Sequence, residues 1–249
     1  MHPANTRGSV HHVDRTRTAA AATDPKCPIG SWLVRAQFQA GYAHWCKRYG
    51  RTRHGPFKQW YANGQRWVEG VYREGVRDGT WTRWYPNGQR EFESRWVGGT
   101  RHGTWAAWFD SGAVMWQGIY DGGRKDGEWV YWYESGRRRK AGEYRDGRRH
   151  GVWTVWRADG SKIAEGELAA GERHGSWLTW HTNGQPMSRA TFVRGKRDGA
   201  YATWHHNGRK RSEGRYRTGQ RDGTWQFWNE DGRLTGSETY RDGTAMTAE

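Results

Sequence analysis

Residues 78–88 of this 249-residue chain read DGTWTRWYPNG, one copy of the pattern Gly-x-Trp-x-x-Trp-x-x-Asn-Gly that decides the fold. The first glycine of the pattern recurs every 24 residues, from Gly55 to Gly223, in eight copies without insertion or deletion. The second aromatic residue is Trp in all eight copies, whereas the first is Trp in six, with Phe57 and Tyr201 as the exceptions. Self-similarity at one fixed period indicates a chain built from repeated supersecondary units.

Each repeat is predicted to be a β-hairpin. The pattern ends in a dipeptide whose second residue is Gly, and such dipeptides between β-rich runs are hairpin signals because tight turns need positive φ. The second half of each repeat carries one large apolar residue, such as Tyr72, three residues before a glycine, such as Gly75. A helix is disfavoured because each interior glycine costs about 1 kcal/mol relative to Ala. The turn dipeptides are Asn63-Gly64, Asn87-Gly88, Ser111-Gly112, Ser135-Gly136, Asp159-Gly160, Asn183-Gly184, Asn207-Gly208 and Asp231-Gly232.

Together the repeats predict an all-β fold, an elongated single-layer antiparallel meander of stacked hairpins. Strands about 4.8 Å apart make each repeat roughly 10 Å wide and the sheet on the order of 75 Å long. One hairpin cannot bury an apolar face alone, so the tryptophans from Trp60 to Trp228 are expected to stack on one another along the sheet. The two aromatic positions of a repeat lie three residues apart, which puts them on opposite faces unless a bulge or twist brings them together.

Four segments are expected along the chain. A degenerate capping repeat is predicted before the regular series, because Gly30 and Trp32 match the repeat template whereas Arg35 stands where Trp belongs. Repeat arrays need such caps at their ends. The segments are a disordered start at residues 1–28, the capping repeat at 29–54, eight hairpin repeats at 55–243 and a C-terminal tail at 244–249.

This period and these residues resemble the MORN-repeat proteins, in particular the bacterial variant with the pattern Asp-Gly-x-Trp-x-x-Trp-x-x-Asn-Gly, which residues 78–88 match. The resemblance covers residues 54–243. It implies a sheet of stacked hairpins and offers no catalytic residue to carry over. Bacterial members of this group are often labelled antitoxin-like, and eukaryotic relatives are described as membrane-associating or assembly scaffolds. Because function does not follow from fold, the resemblance alone assigns neither role.

The composition disfavours several classes of function. The chain carries 41 Lys and Arg against 26 Asp and Glu, a net charge of +15. No apolar run approaches the length of a membrane span, which predicts no integral membrane segment, and no signal-peptide core is present, which makes the cytoplasm the expected location. Neither a Gly-x-Ser-x-Gly elbow nor a phosphate-binding loop occurs, so neither an enzyme nor a cofactor is predicted.

The cysteines and histidines predict no metal centre. Cys27 and Cys46 are the only cysteines, too few for a disulfide framework. The histidines that recur in the repeats are roughly 10 Å or 19 Å apart, too far for metal–nitrogen bonds of about 2 Å. A nucleophilic pair of one cysteine with His44 or His54 is a disfavoured alternative.

A basic residue precedes Asp or His at the start of every repeat, as in Arg77-Asp78 and Arg101-His102. The plainer interpretation is turn chemistry, in which Asp or His bonds local backbone and the basic residue is solvated or pairs with a carboxylate. The other interpretation is a basic ladder along one edge that binds an anionic polymer or surface. The densest basic clusters are Arg137, Arg138, Arg139 and Lys140, and Arg209, Lys210 and Arg211.

Four aromatic residues are candidates for contact with a partner. Trp45, Trp67 and Trp116 do not follow the ladder, and Tyr85 directly follows a ladder residue, so these rings are expected to be freer to bind. The leading hypothesis is a non-catalytic scaffold that binds another protein along the sheet or at its open edge, and antitoxin-like neutralisation is one version of it. The alternative is peripheral binding to anionic membrane lipid or nucleic acid through the basic clusters.

Overall fold

A computed structural model describes residues 24–50 and 52–246, so most of the segment 1–28, for which disorder is predicted, lies outside the described residues. The strands are β1 (Ser31–Phe38), β2 (Gly41–Arg48), β3 (Arg53–Tyr61), β4 (Arg66–Arg73), β5 (Val76–Trp84), β6 (Arg90–Val97), β7 (Thr100–Arg101), β8 (Gly103–Trp108), β9 (Val114–Asp121), β10 (Arg124–Trp132), β11 (Arg138–Arg145), β12 (Arg148–Trp156), β13 (Lys162–Ala169), β14 (Glu172–Trp180), β15 (Pro186–Val193), β16 (Lys196–Trp204), β17 (Lys210–Arg217), β18 (Gln220–Trp228), β19 (Leu234–Arg241) and β20 (Thr244–Met246). They form one sheet in which sequential strands pair antiparallel, with β7 and β8 end to end beside β6. The predicted all-β antiparallel meander is confirmed.

The two hairpin loops of a repeat differ from each other, and the turn predicted at each Asn-Gly-type dipeptide has positive φ at its glycine. At Asn87-Gly88 only the glycine has positive φ (87°), because the Asn87 side chain instead accepts a hydrogen bond from the amide of Gln89 (3.0 Å). The loops between repeats are the two-residue turns, in which both residues have positive φ, as at Glu74 (47°) and Gly75 (85°). Such primed turns match the twist of the flanking strands. The Asn side chain therefore organises a longer turn by bonding its own backbone.

The two aromatic positions of each repeat lie on opposite faces of the sheet. Trp153 faces Gly166 on the next strand, whereas Thr154 faces Glu165 and donates a hydrogen bond to its carboxylate (3.0 Å). Trp156 follows Thr154 by two residues and shares its face, so the bulge next to it does not bring the two aromatic positions together. The aromatic face carries Phe57, Trp81, Trp105, Trp129, Trp153, Trp177, Tyr201 and Trp225. The opposite face carries Trp60, Trp84, Trp108, Trp132, Trp156, Trp180, Trp204 and Trp228.

The buried core is a chain of rings on the aromatic face. Trp129 exposes 1% of its surface, and its indole ring lies edge-to-face against Tyr120 and Tyr144, at centroid distances of 5.3 Å and 5.8 Å. Rings of the first aromatic position thus alternate with rings from the second strand of each hairpin. The edge-to-face arrangement brings the positive edge of one ring to the negative face of the next. This face, rather than the ladder of the opposite face, holds most of the buried tryptophans.

Each tryptophan of the aromatic face is held by two contacts with the preceding repeat. The Nε1–H of Trp153 donates to the carbonyl of Glu143 (3.0 Å), and all six tryptophans at the first aromatic position make the equivalent bond. The indole ring also covers Gly142, where an added Cβ would lie 2.3 Å from ring carbon. A small residue is therefore required under each ring, and Ser94 and Ala190 are the two replacements for glycine before the last repeat.

The first hairpin, β1 and β2, extends the sheet beyond β3 and is tied to the chain that precedes it. Cys27 and Cys46 form a disulfide across a sequence separation of 19 residues. The Asp24 carboxylate contacts the Arg35 guanidinium and the imidazole of His44, the latter at 2.9 Å. Two cysteines were too few to predict a framework, yet they form one covalent tie. Since neither sulfur is a free thiol, the alternative of a nucleophilic Cys–His pair is wrong.

Candidate binding surface on the aromatic face

Every repeat places one cation over the rings of the aromatic face. The guanidinium of Arg77 lies 4.5 Å from the ring centroid of Trp81 and 5.2 Å from that of Trp96. The distances from these cations to the first ring of their own repeat range from 3.8 Å to 5.8 Å. Contacts of this kind are cation–π interactions. We call these residues the cation row: Arg53, Arg77, Arg101, Lys125, Arg149, Arg173, Arg197 and Arg221.

No member of the cation row forms a salt bridge within the part of the chain that the structure describes. Two of the four aspartates that follow row residues pair elsewhere: Asp78 with Arg73 at 2.9 Å, and Asp222 with Arg217 at 3.0 Å. Asp78 also accepts a hydrogen bond from the amide of Gly98 (3.1 Å), as the turn interpretation expected. The row cations themselves are neither neutralised nor simply solvated. They rest on aromatic rings with their charge uncompensated, which concentrates positive potential on one face.

Tyrosine hydroxyls hold some of the row cations in place. Arg53 donates a hydrogen bond to the hydroxyl of Tyr72 (3.1 Å), and Arg221 donates one to the hydroxyl of Tyr240 (2.6 Å). Because the hydroxyl is neutral, these bonds orient the guanidinium without cancelling its charge. An anion that approaches this face therefore meets cations that are already positioned.

On the opposite face, cations form ion pairs with carboxylates. Lys162 pairs with the carboxylate of Glu165 at 2.6 Å, and its ammonium lies 5.5 Å from the ring centroid of Trp180 in the next repeat. The same triad of cation, glutamate and tryptophan recurs in four repeats. The intervening cation takes the place of the ring-on-ring stacking predicted for Trp60 to Trp228, and that prediction is wrong for these repeats. In these four repeats the cation is matched by a carboxylate, whereas Arg138, at the same position of the fourth repeat, forms no salt bridge in the part of the chain that the structure describes.

Clefts open between the rings of the aromatic face. One, of about 390 Å³, is lined by Arg77, Trp81 and Phe92. Another, of about 430 Å³, is lined by Arg221 and Trp225 among others. Both clefts are lined by aromatic rings, polar side chains and a row cation, so each can accept an acidic side chain beside an aromatic ring.

The four aromatic residues predicted to contact a partner are distributed over different environments. Trp45 is half-buried on the aromatic face beneath Arg53. Trp116 stacks on Trp129 at 5.4 Å and packs against the core. Trp67 stacks on a turn tyrosine at 5.1 Å. The hydroxyl of Tyr85 donates to the carbonyl of Trp108 (2.9 Å), a bond between repeats that other turn residues also make. Their role in binding stays a prediction.

The two basic clusters of the sequence do not form continuous patches. In the first, the Arg137 side chain donates to the carbonyl of Ala158, whereas Lys140 lies on the aromatic face over Tyr131. In the second, Arg209 bonds a backbone carbonyl, and Lys210 pairs with a glutamate on the opposite face. Arg138, Arg139 and Arg211 are exposed. Neighbouring residues of a strand point to alternate faces, so a dense run in sequence is divided in space.

The cation row was visible in the sequence, but its partners were not. The sequence shows a basic residue before Asp or His in each repeat, which was expected to be solvated, to pair with a carboxylate or to form a basic ladder along one edge. The strand register instead places the basic side chain over rings that lie four residues ahead and on the neighbouring strand.

Within residues 24–50 and 52–246 no group of three or more His, Cys, Asp or Glu side chains is placed to hold a metal ion. No helix in the same ranges has the length and apolar character needed to cross a membrane.

The fold and surface define a repeat-built, single-layer β scaffold, and comparison with known proteins identifies the type of repeat at three positions. The MORN repeat variant matches residues 53–74, 77–97 and 173–194. These stretches belong to the 24-residue series, whose other copies carry the same glycine and aromatic positions. The match at three of the repeats supports a MORN-repeat protein. Repeats of this family are generally associated with protein or membrane-lipid binding.

Other comparisons add little. No curated protein matches the chain. A chain in the crystal structure of TcdB2-TccC3-Cdc42 is similar over 80% of this chain, with 11% sequence identity and a TM-score of 0.17, and the match spans 12% of that chain. At this TM-score nothing about the present protein follows from the similarity.

Proposed function

We propose that this protein is a non-catalytic scaffold that binds an acidic segment of another protein along its aromatic face. The observation that carries the proposal is the cation row, in which eight cations rest on rings on one face and none pairs with a carboxylate among the described residues. Antitoxin-like neutralisation of a partner is one form that such binding takes. The proposal includes no enzymatic activity.

The geometry favours a peptide over a single-stranded nucleic acid. Bases bind aromatic side chains by stacking on a free ring face. The ring of Trp153 has Gly142 against one face and the Arg149 guanidinium 5.8 Å from its centroid. With both sides of the ring occupied, stacking of a base is blocked, whereas carboxylates reach the row cations and apolar side chains fit the clefts.

The test is the affinity of the full chain for a labelled peptide of alternating Glu and Leu. Replacing Arg77, Arg149 and Arg173 by Gln removes three row cations, and we expect at least about tenfold weaker binding. The matched control replaces Arg66, Arg90 and Arg138 by Gln. It removes the same charge from the equivalent positions of the opposite face and is expected to change the affinity less than about twofold.

Other ligands are outcomes of the same experiment. An oligothymidylate and vesicles with phosphatidylglycerol are titrated in parallel at low and high salt. Binding to the peptide that weakens with salt and with the row variant, but not with the control, supports the proposal. Two results would contradict the proposal: tighter binding to the oligonucleotide or the vesicles than to the peptide, or an equal loss of peptide affinity in both variants. Either result would favour peripheral binding of nucleic acid or lipid instead.

The Cys27–Cys46 bond favours an oxidising compartment over the cytoplasm expected from the sequence, because disulfides persist outside the reducing cytosol. Protein extracted from its native cells and alkylated at once is expected to carry no modified thiol until it is reduced. Modification of both cysteines before reduction would show that the bond is absent in the cell and would favour the cytoplasm.

A further inference from the structure

The fourth repeat departs from the others at three positions of the aromatic face. Lys125 is the only lysine in the cation row. Lys140 stands where the other repeats have uncharged residues, and Tyr131 is the only tyrosine at its position. The other residues at the Lys140 position are Val68, Phe92, Trp116, Ala164, Ser188, Ser212 and Gly236. Seven repeats form the same hairpin without these residues, so the fold does not require them.

The three departures meet at one place. The Lys125 ammonium donates a hydrogen bond to the Tyr131 hydroxyl oxygen (3.2 Å) and lies 3.8 Å from the ring centroid of Trp129. The Lys140 ammonium lies 4.2 Å from the ring centroid of Tyr131 on the adjacent strand. Two ammonium groups and a phenol therefore converge on the middle of the aromatic face.

The two lysines of this cluster are partly buried and their charges are not compensated. Burial lowers the pKa of Lys125, and the positive charges of Lys140 and Arg101 lower it further. Burial likewise lowers the pKa of Lys140, as do Arg139 and Arg149. No carboxylate forms an ion pair with either lysine in the described chain. Placing two cations together without a counter-charge is unfavourable, and a bound anion would offset this energy.

We propose that Lys125, Lys140 and Tyr131 form a binding site for a phosphate monoester. The two ammonium groups match the charge of a dianion, and their donors suit its several acceptor oxygens. Burial raises the pKa of Tyr131, so its hydroxyl stays protonated and retains a proton to donate. A single carboxylate would neutralise only one of the two lysines. The site is independent of whether an acidic protein segment docks along the rest of the face.

The test is a titration of the full chain with inorganic phosphate, followed by NMR of the amides around Tyr131, with acetate as the comparison anion. We expect phosphate to bind at least about tenfold more tightly than acetate. Lys140→Ala, which installs the residue of the next repeat, should weaken phosphate binding by about tenfold or more, since a charge-assisted hydrogen bond is lost. The control Lys210→Ala removes the same charge from the opposite face and should have less than about twofold effect.

Two results would overturn the site: phosphate affinity no higher than that of acetate, or equal loss in the Lys140 and Lys210 variants. The melting temperature of Lys140→Ala is measured alongside and is expected not to fall, because a half-buried charge has been removed. Vesicles with phosphatidic acid or with phosphatidylglycerol, at equal charge, separate the sources of the phosphate group. Selective binding to vesicles with phosphatidic acid would identify the ligand as a lipid headgroup. Binding of free phosphate without selective binding to these vesicles would identify it as a soluble phosphate ester.

Discussion

The two faces of this sheet are built from the same repeats and carry basic residues at the same period, yet they differ in how each charge is matched. On the opposite face, Lys162 is paired with Glu165 and its neighbouring ring completes a closed triad. On the aromatic face, Arg149 lies over the ring of Trp153 and pairs with no carboxylate among the described residues. The number of cations therefore does not show where an anion can bind. A cation is available to bind an anion only where no carboxylate on the same face already forms an ion pair with it.

The largest expected difference between the faces is in stability. Trp153→Ala should lower the free energy of unfolding by about 3–5 kcal/mol, because a buried ring is lost together with its Nε1–H bond. Trp156→Ala, in the same strand but half-buried on the opposite face, should lower it by about 1–3 kcal/mol. Urea unfolding followed by circular dichroism measures both. Equal losses would contradict the unequal burial of the two faces.

A smaller effect is expected from filling the space under a ring. Gly142 does not have positive φ, so Gly142→Ala strains the structure only through its contact with Trp153, at a cost of about 1–3 kcal/mol. Adding Trp153→Tyr recreates the native pairing of Ala190 with Tyr201. The double variant should therefore lose less stability than the sum of the single variants. Simple additivity in a thermal unfolding cycle would refute the steric explanation.

The smallest effect is expected on the opposite face. Glu165→Gln should lower the free energy of unfolding by less than about 1 kcal/mol, as for other partly exposed ion pairs. The hydrogen bond from Lys162 is the main reason that the pKa of Glu165 lies below its ordinary value of 4.5. A lowered folded pKa means that the stabilisation is present above 4.5 and is lost as the pH falls through the folded value.

Comparing wild type with Glu165→Gln at neutral and at strongly acidic pH checks this prediction. The difference in melting temperature should vanish in acid. A difference that persists there would mean that packing, rather than charge, accounts for the contribution of Glu165.

The local features of the fold were predictable to different degrees. The period and the turn glycines predict the hairpins and their order, because each hairpin is a local structure with its own sequence signals. The same signals mark the turn at Asn87-Gly88, but they do not predict the positive φ of Glu74, because glutamate rarely adopts positive φ. Tyr85 was predicted to be free, although its hydroxyl bonds the next repeat.

The single antiparallel sheet of repeated hairpins follows from the sequence alone, because each 24-residue unit carries its own strand and turn signals and one hairpin cannot bury an apolar face. Which cations lack a carboxylate partner depends on the three-dimensional structure. Arg77 lies over Trp81 and Trp96, Lys140 over Tyr131, and Lys162 beside Glu165 because of strand pairing and the bulges that shift its register. A shift of one residue moves a side chain to the other face, so these contacts cannot be read from spacing alone.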